Sequence, residues 1–144
     1  MRLPLLAVST LLLAGCSSLD PFDNDRGSYS ATVRGAETLD LRGSGFYGQV
    51  SDASSVWQVY LTGVNAPVVL FEVHADALAP GVYAVPGDVR ATLEIDRLAG
   101  PVYAGTAGSL TLTAATDERA EGRFAFSASG PDGEVFVEGE FVAE

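Results

Sequence analysis

Hydrophobic and polar residues alternate with a period of two along most of the chain from residue 29 onward. The alternation is found in residues 29–34, 39–42 and 57–62, and it predicts half-buried strands. Residues 81–85 and 89–95 give two more short strands. Residues 68–73 are more continuously apolar, which indicates a strand covered on both faces. The best helix candidate, at residues 76–78, is a single turn. The pattern therefore predicts an all-β chain.

The last third of the chain has the clearest strand pattern. Apolar residues alternate with polar ones in residues 109–113, 123–127 and 134–141. Polar residues 116–119 are expected to form a loop, and the Gly-Pro-Asp-Gly sequence at residues 130–133 a tight turn. This order predicts a three-stranded antiparallel meander with its apolar residues on one face.

The same region resembles the end of many small, uncharacterised β-rich lipoproteins of the bacterial envelope, in residues 108–112, 122–126 and 135–141. This resemblance supports the fold and implies no catalytic residue. Over the whole chain we count about 8–10 short strands at spacings of about 8–12 residues, which predicts an antiparallel β-sandwich or a small β-barrel. We expect one all-β domain at residues 28–144, after an N-terminal signal helix.

The first residues have the order of a secretory signal. Arg2 is followed by an almost wholly apolar run at residues 3–14. This run is too short for a membrane-spanning helix, which needs about 20 apolar residues. It ends in four residues that together resemble the lipobox of bacterial lipoproteins: Leu13, Ala14, Gly15 and Cys16.

The lipobox resemblance implies a covalent lipid anchor. In that family the thiol corresponding to Cys16 takes a diacylglycerol, a peptidase cuts before it, and in many members the new amine is acylated too. Residues 1–15 would then be the signal peptide, and residues 16–27 the lipidated cysteine with a flexible tether. Ser17, in place of an Asp that favours inner-membrane retention, implies the outer membrane. The side of that membrane which the domain faces stays open.

The charge of the chain limits its partners. It has 19 acidic residues against 8 Lys and Arg, a net charge of −11, and loss of Arg2 with the signal makes the mature chain more negative still. Nucleic acids and anionic lipid head groups should be repelled. We therefore expect no nucleic-acid partner. The expected partners are the membrane, through the anchor, and an envelope protein or an apolar ligand.

Three residues of the 68–76 segment are the sharpest candidates for chemistry. Glu72, His74 and Asp76 would share one face of an extended strand. Two carboxylates beside an imidazole could hold a divalent metal or serve in acid–base chemistry. His74 is the only histidine and Cys16 the only cysteine, so we expect no enzyme and no cofactor beyond the lipid. A metal-binding protein or hydrolase that uses these three residues is one alternative.

A glycine pattern in the second predicted strand matches a nucleotide-binding motif by letter only. Gly43, Gly45 and Gly48 fit G-x-G-x-x-G, but the motif works only where a strand gives way to a helix. Here more strand follows, so we predict that the glycines form a bulge or hairpin.

The sequence favours a non-catalytic binding or interaction module at the outer membrane. The second alternative is a carrier of an apolar ligand, because small β-barrels sometimes enclose one. Such a carrier would have a cavity lined by side chains such as Trp57, Phe71 and Phe124. If the barrel encloses no such cavity, we expect the aromatic residues to form its packed core.

The anchor can be tested at its thiol. Cells grown with a radiolabelled fatty acid should label the wild-type protein and leave Cys16→Ser unlabelled, because the alkylated sulfur is gone. Immunoprecipitation followed by autoradiography measures the label. Ser17→Ala keeps the thiol and should label like the wild type. Label on Cys16→Ser would contradict the lipobox assignment.

Overall fold

The computed structural model describes residues 27–63, 67–96 and 98–144. The predicted signal helix, the lipobox and residues 16–26 of the tether lie outside these residues. Within them no helix is long and apolar enough to cross a membrane. The helical turn expected at residues 76–78 is wrong, because these residues form a bend and Leu78 turns into the core. One isolated turn does not offset the cost of helix nucleation.

The described residues form nine strands, so the prediction of eight to ten is confirmed. In chain order they are β1 (Ser28–Gly35), β2 (Leu39–Gln49), β3 (Val56–Thr62), β4 (Val68–His74), β5 (Gly81–Val85), β6 (Val89–Glu94), β7 (Val102–Ala115), β8 (Ala120–Gly130) and β9 (Gly133–Ala143). The last three are the predicted meander, which is also confirmed, with the turn between Gly130 and Gly133.

Eight of the strands close into a barrel, which decides between the two predicted architectures. Their order is β7-β6-β4-β3-β2-β1-β9-β8, and β8 pairs again with β7. Every pairing is antiparallel. An eight-stranded barrel has an interior just wide enough for side chains to fill it.

Strand β5 is the ninth, outside the closed ring. It pairs with residues 108–112 of β7, whereas β6 pairs with residues 102–104 of the same strand. The two therefore lie end to end along β7, like one strand interrupted by a turn. Asp88 holds this turn: its carboxylate accepts from the Ala84 N–H (2.9 Å), and its own N–H donates to the Ala84 carbonyl (2.7 Å).

The interior of the barrel is apolar. Val69, Phe71 and Val73 of β4 point inward, each at most 2% exposed. Leu70 and Glu72 on the outer face are only partly buried, so β4 is fully covered on one face, and the cover on both faces that the sequence pattern had indicated is wrong.

Aromatic rings occupy the centre of the barrel: Phe71 lies 5.0 Å from Phe124 and 5.7 Å from Phe126, measured between ring centroids. Each fully buried side chain of this size stabilises the fold by about 1.5–3 kcal/mol. Packing among these rings is therefore a main source of stability.

Both ends of the domain meet at one end of the barrel, which we call the lower end. It comprises the start of β1, the end of β9 and the loops at residues 50–55, 75–80 and 116–119. The Gly45 N–H donates to the Gly27 carbonyl (3.2 Å), and the Glu144 N–H donates to the Gly45 carbonyl (3.2 Å). Arg119 also binds the Glu144 carboxylate (2.6 Å). The first and last described residues are thus fixed to the middle of β2.

The glycines of the G-x-G-x-x-G pattern lie inside β2, not at a bulge or hairpin, so that prediction is wrong. A Cβ added to Gly43 would overlap the Thr62 carbonyl, and one on Gly45 would lie 2.7 Å from the Val142 carbonyl oxygen. Their absence of side chains lets β2 pass close to β3 and to the end of β9. A Cβ on Gly48 would meet no atom within 4 Å.

This difference predicts opposite outcomes for two similar substitutions. Gly43→Ala should lower the free energy of unfolding by about 1–3 kcal/mol, since backbone must move to admit the methyl group. Gly48→Ala should stay within about 0.5 kcal/mol of the wild type. Urea unfolding followed by tryptophan fluorescence measures both. Equal stability of the two variants would show that the close approach at Gly43 is not a constraint.

Candidate functional site

A concave surface runs along the outer face of β1. Its floor consists of the outward side chains of Ser28, Ser30 and Thr32, and longer charged side chains of the neighbouring strands rise on both sides. We call this surface the β1 groove; it is formed by Ser28, Ser30, Thr32, Asp40, Arg42, Glu121, Arg123, Glu138 and Glu140. It consists of two adjoining concavities of about 530 and 780 Å³.

The sequence explains why the surface sinks here. The first three outward positions of β1 carry short hydroxyl side chains, namely Ser28, Ser30 and Thr32. Beneath the groove, a Cβ on Gly139 would lie 2.7 Å from the Ala31 Cβ and 2.8 Å from the Phe124 Cζ. The glycine therefore lets β9 lie close to the core beside β1. Short side chains over a closely packed backbone leave a trough between the longer neighbours.

The strand register sets four residues in one row across the groove. Arg42 of β2 lies opposite Ser30 of β1, Ser30 lies opposite Glu140 of β9, and Glu140 lies opposite Arg123 of β8. With about 4.8 Å between strands, the Cα atoms of the two arginines are roughly 14 Å apart. Each guanidinium therefore stands on one wall, with a hydroxyl and a carboxylate between them.

Ion pairs hold the two ends of the groove. Toward the upper end, Arg34 pairs with Glu138 across β1 and β9. Toward the lower end, Arg119 pairs with Glu121 (2.7 Å). The hydrogen bond that Arg119 donates to the Glu121 carboxylate raises the pKa of Arg119, which keeps this guanidinium charged. The carboxylates of Glu121 and Glu138 are thus already partnered.

In the middle of the groove, charged side chains lack ion-pair partners in the described part of the chain. Among the residues that the structure describes, Arg42 and Arg123 form no ion pair or hydrogen bond, whereas the other three arginines, at positions 34, 90 and 119, are each paired with a carboxylate. Asp40 and Glu140 likewise have no ion-pair partner there. The unpaired guanidinium groups of the described chain thus all face one groove.

Hydroxyl groups add further unused hydrogen-bonding capacity. The Thr32 Oγ1 atom is buried and has no hydrogen-bond partner within the described ranges. Such an atom costs about 1–3 kcal/mol relative to a satisfied one. At the lower end, by contrast, the Thr113 hydroxyl donates to the Glu121 carbonyl (3.2 Å). The floor is therefore polar and incompletely satisfied.

Tyr29 lies below the groove, with its ring inside the barrel. Its side chain is 5% exposed, and its hydroxyl has no partner in the part of the chain that the structure describes. Burial raises the pKa of Tyr29 to about 12. The phenol is therefore neutral at neutral pH and is unsuited to act there as a base.

The predicted metal candidates are on another part of the barrel, three strands away on β4. Glu72 accepts a hydrogen bond from the Gln58 side chain (3.1 Å) and lies 3.7 Å from an Arg90 nitrogen. His74 is exposed at the last residue of β4, and Asp76 is exposed in the loop beyond it. Residues 27–63, 67–96 and 98–144 contain no group of three His, Cys, Asp or Glu side chains placed to hold a metal.

The side chains expected to line a carrier cavity are packed in the core instead. Phe71 and Phe124 are in contact at the centre of the barrel. Trp57 is 7% exposed and stacks on Tyr47, with ring centroids 5.2 Å apart and an interplanar angle of 18°. These rings fill the space that a ligand would need.

Sequence reasoning missed the β1 groove. The one available signal was the short hydroxyl residues in alternate positions of residues 28–32, with charged residues at the outward positions of other strands. It does not reveal which strands flank β1. That depends on the pairing of β1 with β9, which are far apart in the chain.

No protein-family model, curated protein or solved structure matches this chain. The groove itself combines two guanidinium groups, two carboxylates and several hydroxyls on a rigid sheet. This arrangement can bind and orient a polar ligand through charge-assisted hydrogen bonds, each roughly twice as strong as a neutral one.

The raised pKa of Tyr29 predicts a stability loss in strong base. The unfolded chain releases this proton near pH 10.0 and the folded chain near pH 12, so the free energy of unfolding should fall between these values. Tyr29→Phe should show a smaller fall over the same range. Urea unfolding at a series of pH values measures both curves. Parallel curves for the wild type and Tyr29→Phe would contradict the raised pKa of Tyr29 in the folded state.

Proposed function

We propose that this protein is a lipid-anchored lipoprotein of the bacterial outer membrane whose barrel is a non-catalytic binding module. We further propose that it binds through the β1 groove on its outer face and not through an interior cavity. The observation that carries this proposal is the contrast between the packed interior of the barrel and the unpaired charges of the β1 groove. Aromatic side chains fill the interior, whereas Arg42 and Arg123 face the groove without partners.

The position of the groove agrees with an anchor at Cys16. The tether enters the barrel at Gly27, and the groove begins at Ser28 on the same strand. A tether of about a dozen residues reaches at most roughly 40 Å when extended. Two or three acyl chains would hold the protein firmly, at about 0.8 kcal/mol for each buried methylene. The groove would then meet partners that lie close to the membrane.

The chemistry of the groove supports binding over catalysis. A serine nucleophile needs a base within hydrogen-bond reach. His74, the only histidine, lies on β4 and not in the groove, and no described residue forms a hydrogen bond with the Ser28 or Ser30 hydroxyl. The phenol of Tyr29 is neutral at neutral pH. The groups present can position a ligand but lack an activated nucleophile.

A photo-crosslinking amino acid tests where binding occurs. Benzoylphenylalanine at position 30 lies in the groove, and the same residue at position 92 of β6 lies on the outer face at the opposite side of the ring. Illumination of intact cells should give a discrete crosslinked product from position 30 and none from position 92. Immunoblotting of the lipidated full chain detects it.

Two outcomes would contradict the proposal. Equal products from both positions would indicate random collision, and no product from position 30 would remove the groove as the binding surface. Native mass spectrometry of the same protein tests whether the barrel interior holds a ligand. A retained adduct of lipid mass that survives Arg42→Gln would favour the carrier alternative.

A further inference from the structure

The unpaired charges of the β1 groove balance. Arg42 and Arg123 contribute two positive charges, and Asp40 and Glu140 contribute two negative ones. The middle of the groove therefore offers no net charge to a polyanion or a polycation.

At the ends of the groove, Glu138 pairs with Arg34, whereas Glu121 shares Arg119 with Glu144, so the lower end keeps one negative charge. The net charge of −11 on the whole chain further disfavours an anionic ligand.

Within the described residues, the groove also offers a ligand no exposed large hydrophobic side chain. Six large hydrophobic side chains of the described residues are exposed, and none lines it: Phe46, Val50, Val82, Leu98, Val102 and Phe136. An acyl chain laid along this surface would meet no exposed large hydrophobic side chain, and it would take water from charged groups without replacing those hydrogen bonds. A lipid tail is therefore a poor match.

An extended peptide is a poor match as well. Peptides that bind along a strand gain affinity from main-chain hydrogen bonds to a free sheet edge. β1 has no free edge, because β2 pairs with one side and β9 with the other. A peptide would have only side-chain contacts on a shallow floor of hydroxyls.

We propose that the β1 groove binds a neutral glycan chain; this inference rests on the proposed binding function. Guanidinium and carboxylate groups each present two coplanar donors or acceptors, which match adjacent hydroxyls of a sugar ring. Ser28 and Ser30 add hydroxyls that donate and accept. The groove floor from Ser28 to Thr32 spans roughly 13 Å, which is longer than one sugar ring. Arg42 and Arg123 hold the ring above Ser30 from opposite walls.

The test uses the purified, lipidated full chain in nanodiscs of zwitterionic lipid. The probes are three neutral hexasaccharides: β-1,4-linked N-acetylglucosamine, β-1,4-linked glucose and α-1,4-linked glucose. Calorimetric titration should detect binding of at least one. Arg42→Gln and Arg123→Gln should each weaken it about tenfold or more, the effect of losing a charge-assisted hydrogen bond.

The chain offers a matched control. Arg90 is exposed on β6, on the opposite side of the barrel, where it faces Glu72. Arg90→Gln removes the same charge and should leave the affinity unchanged. Thermal unfolding confirms that the groove variants fold, as expected because neither arginine has an ion pair to lose.

Several results would overturn the inference. One is that no neutral probe binds. Another is that Arg90→Gln lowers the affinity as much as Arg42→Gln and Arg123→Gln do. A third is that an anionic hexagalacturonate or a zwitterionic hexapeptide binds more tightly than the neutral probes. If crosslinking from position 30 is still specific in these cases, the glycan assignment fails and the binding module stands. If that crosslink is missing too, the proposed function fails with it.

Discussion

Closure of the barrel is the constraint on which the rest of this structure depends. Once β8 pairs with β7, the inward side chains of eight strands must fill one narrow space. Large and small residues therefore have to complement one another. A Cβ on Gly130 would lie 2.5 Å from the Tyr103 ring, and one on Gly105 would lie 2.8 Å from Val85. The glycines thus make room for large neighbours as well as for bends in the strands.

Closure also pairs every strand of the ring with a neighbour on each side, whereas β5, among the described residues, pairs only with β7 and has a free outer edge. The free edge of a strand invites pairing with another chain. Here the Asp88 carboxylate and N–H occupy the polar groups of Ala84 on that edge, and the Tyr83 hydroxyl donates to the Ala79 carbonyl (2.6 Å) beside it. Since the strands of the ring are paired and part of the β5 edge is occupied, the outer faces are the main surface of the barrel for recognition. This favours side-chain recognition over strand addition.

The strands could be predicted from the sequence because alternation is a local property. The three strands of the C-terminal meander and the turn before Gly133 follow from neighbouring residues alone, and both are confirmed. Closure is not local. It depends on the pairing of Ala31 with Gly139, which no pattern in either segment specifies. The choice between sandwich and barrel therefore stayed open until the structure was known.

The candidate site was missed for the same reason. Ser30 has no chemical signature by itself, and Glu140 looks like any solvated residue of an acidic chain. They become neighbours only through the β1–β9 pairing, with Arg42 and Arg123 on the flanking strands. The local pattern of Glu72, His74 and Asp76 predicted a candidate site on β4 instead. Its geometry shows Glu72 already bound by Gln58.

The charge of the lower end affects the distance at which an anchored domain would lie from the membrane. Three loops there carry exposed acidic residues: Asp52, Asp76, Asp117 and Glu118. If acyl chains at Cys16 hold this end toward the membrane, anionic head groups repel it within a Debye length, about 8 Å at physiological ionic strength. The tether is several times longer, so the domain can settle beyond that range. A groove that starts at Ser28 then stays open to a polymer lying above the head groups.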